Sequence, residues 1–284
     1  MTTLLFLDTE TTGNTSDDRL CQIAYIAVPL TTDEYNSVTI QEITTALYKP
    51  PVPISIDAMV VHHITNAMVN DKPAFLNSQE HKELVALLAD NKTVLIAHNA
   101  KYDIGILSKE GIDVSKHICT LKVARYLDKE GSIPRHSLQY LRYFLDLQID
   151  NAPAHDARGD VLVLSELFKR LLKKMIVECG SYEQAIDKMV EISKQPTLIP
   201  SFTFGKHSGK KIADVAKEAR DYLEWLLQQK LANSDDDDED WIYTKIAPHL
   251  SSRFFENKDN IVYQLPQSIL DGRAVILFNN GIFN

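Results

Sequence analysis

The chain has 284 residues, with 30 Lys+Arg against 39 Asp+Glu, a formal net charge of −9, 44% hydrophobic and 24% charged residues. At about 150 residues per domain this length implies about two domains, and the composition excludes a mainly disordered or collagenous chain. No apolar run approaches the ~20 residues that cross a bilayer, and residues 1–8 (MTTLLFLD) lack the basic flank and long apolar core of a secretory leader. Cys21, Cys119 and Cys179 lie far apart without a C-x-x-C pair. They read as isolated thiols of a reducing cytoplasm. So acidic a chain is expected on average to repel nucleic acid.

In chain order, the apolar run 4–7 reads as a buried strand, 22–30 as a second and 38–48 as a third. Three prolines within 50–53 make 49–56 a loop. Residues 79–90 have helical periodicity and 93–97 are another buried strand, with helices expected at 102–110, 119–127, 137–145 and 157–175. Strands first, then strands interleaved with helices, indicate α/β layering on a mixed sheet. A further helical stretch and the segment 195–200 (QPTLIP) precede a small unit starting at Ser201. Residues 1–175 carry a net −4, residues 176–234 none, and residues 235–284 a net −5 dominated by the six-carboxylate run 235–240. That run reads as a solvated loop or linker.

Three segments carry candidate chemistry. Leu7-Asp8-Thr9-Glu10-Thr11-Thr12-Gly13 ends the first strand. Residues i and i+2 of a strand share a face, so Asp8 and Glu10 project together. Two carboxylates this close disfavour each other's charge unless a hard divalent cation neutralises both. Taken alone, the pair reads more readily as a strand ending in a solvated polar turn. His98-Asn99-Ala100-Lys101-Tyr102-Asp103 leads from a strand into a helix, where Asp103 suits the first turn with or without a metal. Asn99 suits either a backbone turn or a substrate contact. His155-Asp156-Ala157-Arg158-Gly159-Asp160 opens the last long helix. An imidazole at position 155 suits a general base, although a single loop histidine is commonly a surface residue, and Asp156 reads as the helix N-cap.

In this order the motifs D-x-E-T-T-G, H-N-A-x-[FY]-D and H-x-x-x-x-D resemble those of the DEDDh 3′→5′ exonucleases, the fold family of polymerase proofreading subunits, over about residues 3–175. A Tyr-based sister class would place tyrosine where Asp156 stands. One departure is His63, where the family more often has Gly before the Ile64-Thr65 pair. The resemblance implies an RNase H-like (exonuclease) fold, a mixed sheet flanked by helices. It implies two Mg²⁺ ions, with Mn²⁺ as a substitute, held by Asp8, Glu10, Asp103 and Asp160, and His155 as the base that takes a proton from the attacking water. Two divalent ions match the four carboxylates in charge, which removes the electrostatic objection to a nucleic-acid substrate. Substrate contacts are expected from the Thr11-Thr12-Gly13 turn and from Asn99 and Arg158.

Residues 201–229 contain F-G-K-x-x-G-K and Y-L-x-W-L, a pattern that resembles the short C-terminal module of exonuclease X-like proteins. It reads as a hairpin over Gly205–Gly209 and an amphipathic helix, and it is not a P-loop. Lys206, Lys210, Lys211 and His207 cluster at the turn. With Phe202 and Phe204 nearby, they suit a grip on phosphates and a stacked base. In the alternative, Phe204, Tyr222, Trp225 and Leu226 form a small core under merely solvated lysines. The expected organisation is therefore an α/β exonuclease domain over 1–178, a helical linker over 179–200, a small α+β module over 201–232, and an acidic loop with an unassigned segment over 233–284.

The activity implied is release of nucleoside 5′-monophosphates from DNA 3′ ends by a cytoplasmic enzyme. An exoribonuclease is the nearest alternative. A polymerase- or clamp-associated binding subunit is the alternative of another class, with residues 264–270 only a loose echo of a clamp-docking motif.

Overall fold

The computed structural model describes residues 2–30, 40–149, 156–195, 201–202, 205–223 and 225–226. The chain divides into two units, residues 1–195 and 196–284.

The first unit begins with β1 (Thr3–Thr11) and β2 (Leu20–Pro29), followed by β3 (Thr44–Leu47). Two short helices, α1 (Ile56–His62) and α2 (Asn66–Val69), come next, then α3 (Gln79–Ala89) and β4 (Thr93–Ala97). The chain continues through α4 (Lys101–Lys109), β5 (His117–Cys119), α5 (Thr120–Leu127) and α6 (Leu138–Phe144), and the unit closes with α7 (Ala157–Cys179) and α8 (Tyr182–Lys194). The five strands form one mixed sheet in the order β3-β2-β1-β4-β5. β1 runs antiparallel to β2 and parallel to β4, and β4 is parallel to β5.

The alternation of β1 explains how the sheet is covered. Leu4 and Phe6 face one side, where they join Val161, Leu164 and Phe168 of α7. Phe6 meets Phe168 edge-on at 5.4 Å between ring centroids. Leu5 and Leu7 face the other side with Leu84 of α3 and Ile106 and Leu107 of α4. With both faces buried, β1 reads as a continuous apolar run, as central strands of layered α/β folds do. Beyond Leu7 the same strand turns polar. β4 pairs with β1 only as far as Phe6↔Ile96, so the far end of β1, Asp8 to Thr11, is held by β2 alone. A register shift between Glu10 and Thr11 marks a bulge there, a device that redirects side chains beside sites.

Most expected elements are present, with differences that have local causes. The third strand is confined to 44–47, preceded by a single 3-10 turn at Ile40–Glu42; residues 31–39 lie outside the described residues. The helix expected at 119–127 is preceded by β5, whose three residues are too few to show a period. α1 and α2 follow the proline-rich loop and are set by side-chain caps, Ser55 accepting from the Ala58 amide and Thr65 from the Met68 amide. The long last helix runs past 175 to Cys179 and stops at Gly180, which adopts φ 91°. The stretch expected as a linker holds α8, which packs on α7, α5 and β5. Its inward stripe Ala185, Ile186, Met189, Val190 and Ile192 joins the main core, so the first unit extends to Gln195.

In the second unit Ser201 bridges Lys211, and the Phe202 amide donates to the Lys210 carbonyl at 2.9 Å. The turn between them has Gly205 at φ 67° and Gly209 at φ 85°. It leads into α9 (Ile212–Glu218), and the chain is helical again at 220–223 and 225–226. Phe202, Ile212, Val215, Leu223 and Leu226 form a small core. Phe204, the acidic run 235–240, the 264–270 segment and the apolar stretches of 241–284 lie outside the described residues.

His63 ends α1 in the left-handed region, φ 62° and ψ 13°, its amide bonded to the Met59 carbonyl. A β-carbon is disfavoured there, and this is the position at which glycine commonly ends a helix. The preference for Gly before Ile64-Thr65 thus has a backbone cause. His63→Gly should raise the melting temperature by a degree or two, the balance between relieved strain and a freer unfolded chain; differential scanning calorimetry measures it, and a lowered value would contradict the strain.

Candidate active site

Asp8 and Glu10 extend from the end of β1, opposite Ala24 and Gln22 of β2, and Asp160 descends from the first turn of α7. Carboxylate oxygens of the three lie within 4.8 Å of one another. Asp103, in the first turn of α4, is buried and accepts a 2.8 Å hydrogen bond from the Thr9 hydroxyl. It stands outside that tight cluster but close enough for its charge to raise the Asp8 pKa. The three motifs therefore converge from β1, α4 and α7 at the carboxyl ends of the parallel strands, where ligands bind in open α/β sheets. His155 lies outside the described residues.

The electrostatics express this crowding. Desolvation and the charges of Asp103, Asp160, Glu10 and Asp156 hold Asp8 well above the usual carboxylate range. Glu10 is pushed up to about 8 by desolvation and by Asp160, Asp103 and Asp156. Burial raises Asp103 to about 7, against the Thr9 hydrogen bond, which acts the other way. Near neutral pH the cluster holds protons unless a cation replaces them. All-oxygen donors from close carboxylates fit a hard divalent ion such as Mg²⁺ or Mn²⁺. Asp8, Glu10 and Asp160 are the residues that would hold it, with Asp103 adjoining.

Asp156 stands at the N-cap of α7 as expected, yet its side chain makes no capping bond. It accepts instead from Gln22 Nε2 at 3.4 Å and adds a fifth negative charge facing the cluster. Its neighbours explain the difference, because Gln22 lies directly across from Glu10. Arg158 is half-buried in the first turn of α7, and Asn99 is exposed just before α4 with φ 63°.

The Thr11-Thr12-Gly13 turn is braced from within. Thr11 Oγ1 donates to the Gly13 carbonyl at 2.7 Å and also meets the Tyr102 hydroxyl, which itself lies 3.0 Å from that carbonyl. Thr12 Oγ1 donates to Asp18 at 2.6 Å and accepts from the Arg19 amide at 3.0 Å. Asp18 also accepts from Thr15, and Arg19 forks onto Glu110 with contacts of 2.8 and 2.9 Å. His62 Nε2 lies 3.0 Å from the Thr11 carbonyl. That nitrogen must carry the proton, since a carbonyl only accepts, and Nδ1 receives the Ile64 amide at 3.0 Å. Both threonine side chains are buried and turned inward, which leaves Gly13, half-exposed, as the part of the turn open to a close approach. A β-carbon there would stand 2.8 Å from the Asp18 carboxylate.

Several supporting residues were not anticipated from the sequence. Gln139 of α6 donates from Nε2 to Asp160 Oδ1 at 2.5 Å. The loop before α6 is fixed through His98, whose Nε2 donates to the His136 carbonyl at 2.8 Å while Nδ1 takes the Thr120 hydroxyl at 3.0 Å. Burial lowers His98 to about 4, so it stays neutral in this role. Thr9 was legible in principle, since it alternates with Asp8 and Glu10. Gln139 stands 21 residues from Asp160, and no spacing rule connects them.

Carboxylates gathered on an RNase H-like mixed sheet define a phosphoryl-transfer class of site. Residues 5–168 match the family model described as Exonuclease, and residues 202–230 match the model described as Exodeoxyribonuclease X-like C-terminal. The chain belongs to the exonuclease family. It is 33% identical over 184 residues to the Escherichia coli protein named Exodeoxyribonuclease 10, covering 64% of this chain and 74% of that one. It is 30% identical over 196 residues to the Treponema pallidum DNA polymerase III subunit epsilon, covering 65% and 85%. A crystal structure of E. coli exonuclease I with a dT13 oligonucleotide shares the fold at 21% identity and a TM-score of 0.50, over 63% of this chain and 44% of that one.

Carboxylates that bind protons in the folded chain and release them on unfolding favour folding at low pH, and this stability is lost as pH rises through the raised values near 7 and 8. The chelator-treated protein should melt at a lower temperature at pH 9 than at pH 6, and added Mg²⁺ should remove much of the difference; a flat profile without metal would contradict the crowding. Separately, Gln139→Ala should raise the Mg²⁺ concentration for half-maximal hydrolysis by about tenfold, the scale set by residues that orient a metal ligand. Metal titration of the variant measures this, and an unchanged midpoint would show that Gln139 does not orient Asp160.

Proposed function

We propose that the protein is a divalent-metal-dependent 3′→5′ exodeoxyribonuclease that releases nucleoside 5′-monophosphates. The observation that carries the reading is the convergence of Asp8, Glu10 and Asp160 within 4.8 Å on the end of a strand in the exonuclease fold. Two Mg²⁺ ions, with Mn²⁺ as a substitute, would be held by Asp8, Glu10, Asp160 and Asp103. When bound, such ions activate water and stabilise a departing oxygen. The protein residues do the rest. His155 takes the proton of the attacking water, and Gln139 holds the Asp160 carboxylate at its angle. Gly13 admits the terminal nucleotide close to the backbone while Thr11, Thr12, Tyr102 and Asp18 keep that turn in place. Asn99 and Arg158 contact the substrate from the starts of α4 and α7. In the second unit Lys206, Lys210 and Lys211 grip phosphates.

DNA is favoured over RNA by the likeness to Exodeoxyribonuclease 10 and to the exodeoxyribonuclease X-like C-terminal model. A cytoplasmic setting agrees with the cysteines, all unbridged; burial pushes the Cys21 thiol up to about 12, which makes it inert. No helix among the described residues is long and apolar enough to cross a membrane. A second reading, a polymerase- or clamp-associated proofreading subunit, is supported by the likeness to subunit epsilon.

Digestion of single-stranded DNA, duplex DNA and RNA side by side, with and without Mg²⁺, tests substrate and metal together. Degradation of RNA in preference to DNA would overturn the DNA assignment. Asp8→Ala and Asp160→Ala should abolish release from a labelled 3′ end while the protein stays folded, and full activity in either would remove the metal assignment. His155→Ala should lower kcat more than it raises KM.

A further inference from the structure

The small second unit distributes its aromatic side chains unevenly. Phe202 is 2% exposed and belongs to the core with Leu223 and Leu226, so it cannot stack on a ligand. Trp225, which the sequence places as readily in that core, is 52% exposed. Its ring lies 5.7 Å from that of Tyr222 with 32° between the planes. Tyr222 is half-buried and steadied by neighbours. His207 meets it edge-on at 4.6 Å, and the Gly205 turn lies so near that a β-carbon there would stand 2.9 Å from the tyrosine oxygen. That turn places the Lys206 ammonium over the Tyr222 ring, 4.9 Å from its centroid. A flat indole, a fixed phenol and a cation therefore share one patch.

The chemistry of the patch selects its occupant. A protein interface is built around a desolvated centre with several apolar anchors. Here Trp225 is the one large hydrophobic side chain that stands exposed among the described residues of this unit. Residues 205–211 contain three lysines and no acidic residue. Lys210 is engaged by Glu218 at 3.4 Å, while Lys206 sits beside the aromatic pair. One open ring with an adjoining cation matches one nucleotide, whose base has a π-face and whose phosphate is anionic.

Resting on the reading of a nuclease acting on nucleic acid, we infer that Trp225, backed by Tyr222 and flanked by Lys206, is a stacking platform for a base of a single-stranded substrate. The contact is sequence-tolerant, because any base presents a face, and it raises affinity without entering the hydrolytic step.

The chain contains two tryptophans, so Trp241→Phe leaves Trp225 as the single indole. This variant is titrated with a 16-nucleotide oligothymidylate in EDTA, where hydrolysis is off. Indole emission should be quenched saturably. Trp225→Ala should weaken binding about tenfold and Trp225→Phe by less, the scale of one base stack. Lys206→Ala should reduce the slope of log affinity against log salt by about 0.7. Unmoved emission at saturation, or undiminished affinity in Trp225→Ala, overturns the platform. Hydrolysis of saturating p-nitrophenyl ester of thymidine 5′-monophosphate in Mg²⁺ reads the acidic site of the first unit and should reach the same kcat in parent and Trp225→Ala. If the parent leaves this ester intact, the hydrolytic reading fails, while the titration still decides the platform.

Discussion

Mutual repulsion of carboxylates at the end of β1 is the constraint around which the first unit is arranged. Asp8, Glu10 and Asp160 share a space only 4.8 Å across, with Asp103 and Asp156 near enough to add their charges. Like charges at such separations in a partly desolvated site cannot all persist. Protons or cations must enter, and the raised values of Asp8, Glu10 and Asp103 measure how strongly the site demands them. Protein folding would not assemble such a group unaided. The apolar run Leu4 to Leu7, buried on both faces, holds the strand whose end carries the charges.

Three of the five carboxylates are in turn held by uncharged donors. Thr9 binds Asp103, Gln139 binds Asp160 and Gln22 binds Asp156. These donors restrict rotation of the carboxylates without cancelling their charge, which keeps the site demanding of cations while fixing its shape. The turn after Glu10 follows the same logic, with Thr11 and Thr12 spent internally on Gly13, Tyr102, Asp18 and Arg19. The side chains of Thr11 and Thr12 serve as braces, and the glycine between them and Asp18 is the part of the turn left half-exposed.

Much of this was legible in sequence because it rests on short-range rules. A two-residue period places Asp8 and Glu10 together, apolar runs mark β1 and β4, and helical periodicity marks α3, α4 and α7. What escaped depends on contacts across long separations or on elements too short to show a period. β5 has three residues, and α1 and α2 follow prolines and are set by Ser55 and Thr65 caps. Asp156 does stand at the N-cap of α7, but its side chain accepts from Gln22 of β2 instead of capping. Trp225 fits an apolar pattern equally well as core or as surface, and only the packing decides, with Leu223 and Leu226 in the core and Trp225 exposed.

The placement of α8 has a consequence for where the catalytic unit ends. β5 is the outer strand of the sheet, and its Cys119 amide donates to Ser193 Oγ at 2.8 Å. Lys122 ties the same segment through the carbonyls of Ser193 and Gln195 at 3.1 and 2.8 Å. α8 thus serves as a selvedge, binding off a border that would otherwise offer unpaired backbone to a second molecule. A chain cut after residue 178 would keep Asp8, Glu10, Asp103 and Asp160 yet bare that border and the apolar surface that the α8 stripe covers. Such a fragment would be prone to self-association, and the smallest unit with that border covered runs through Gln195.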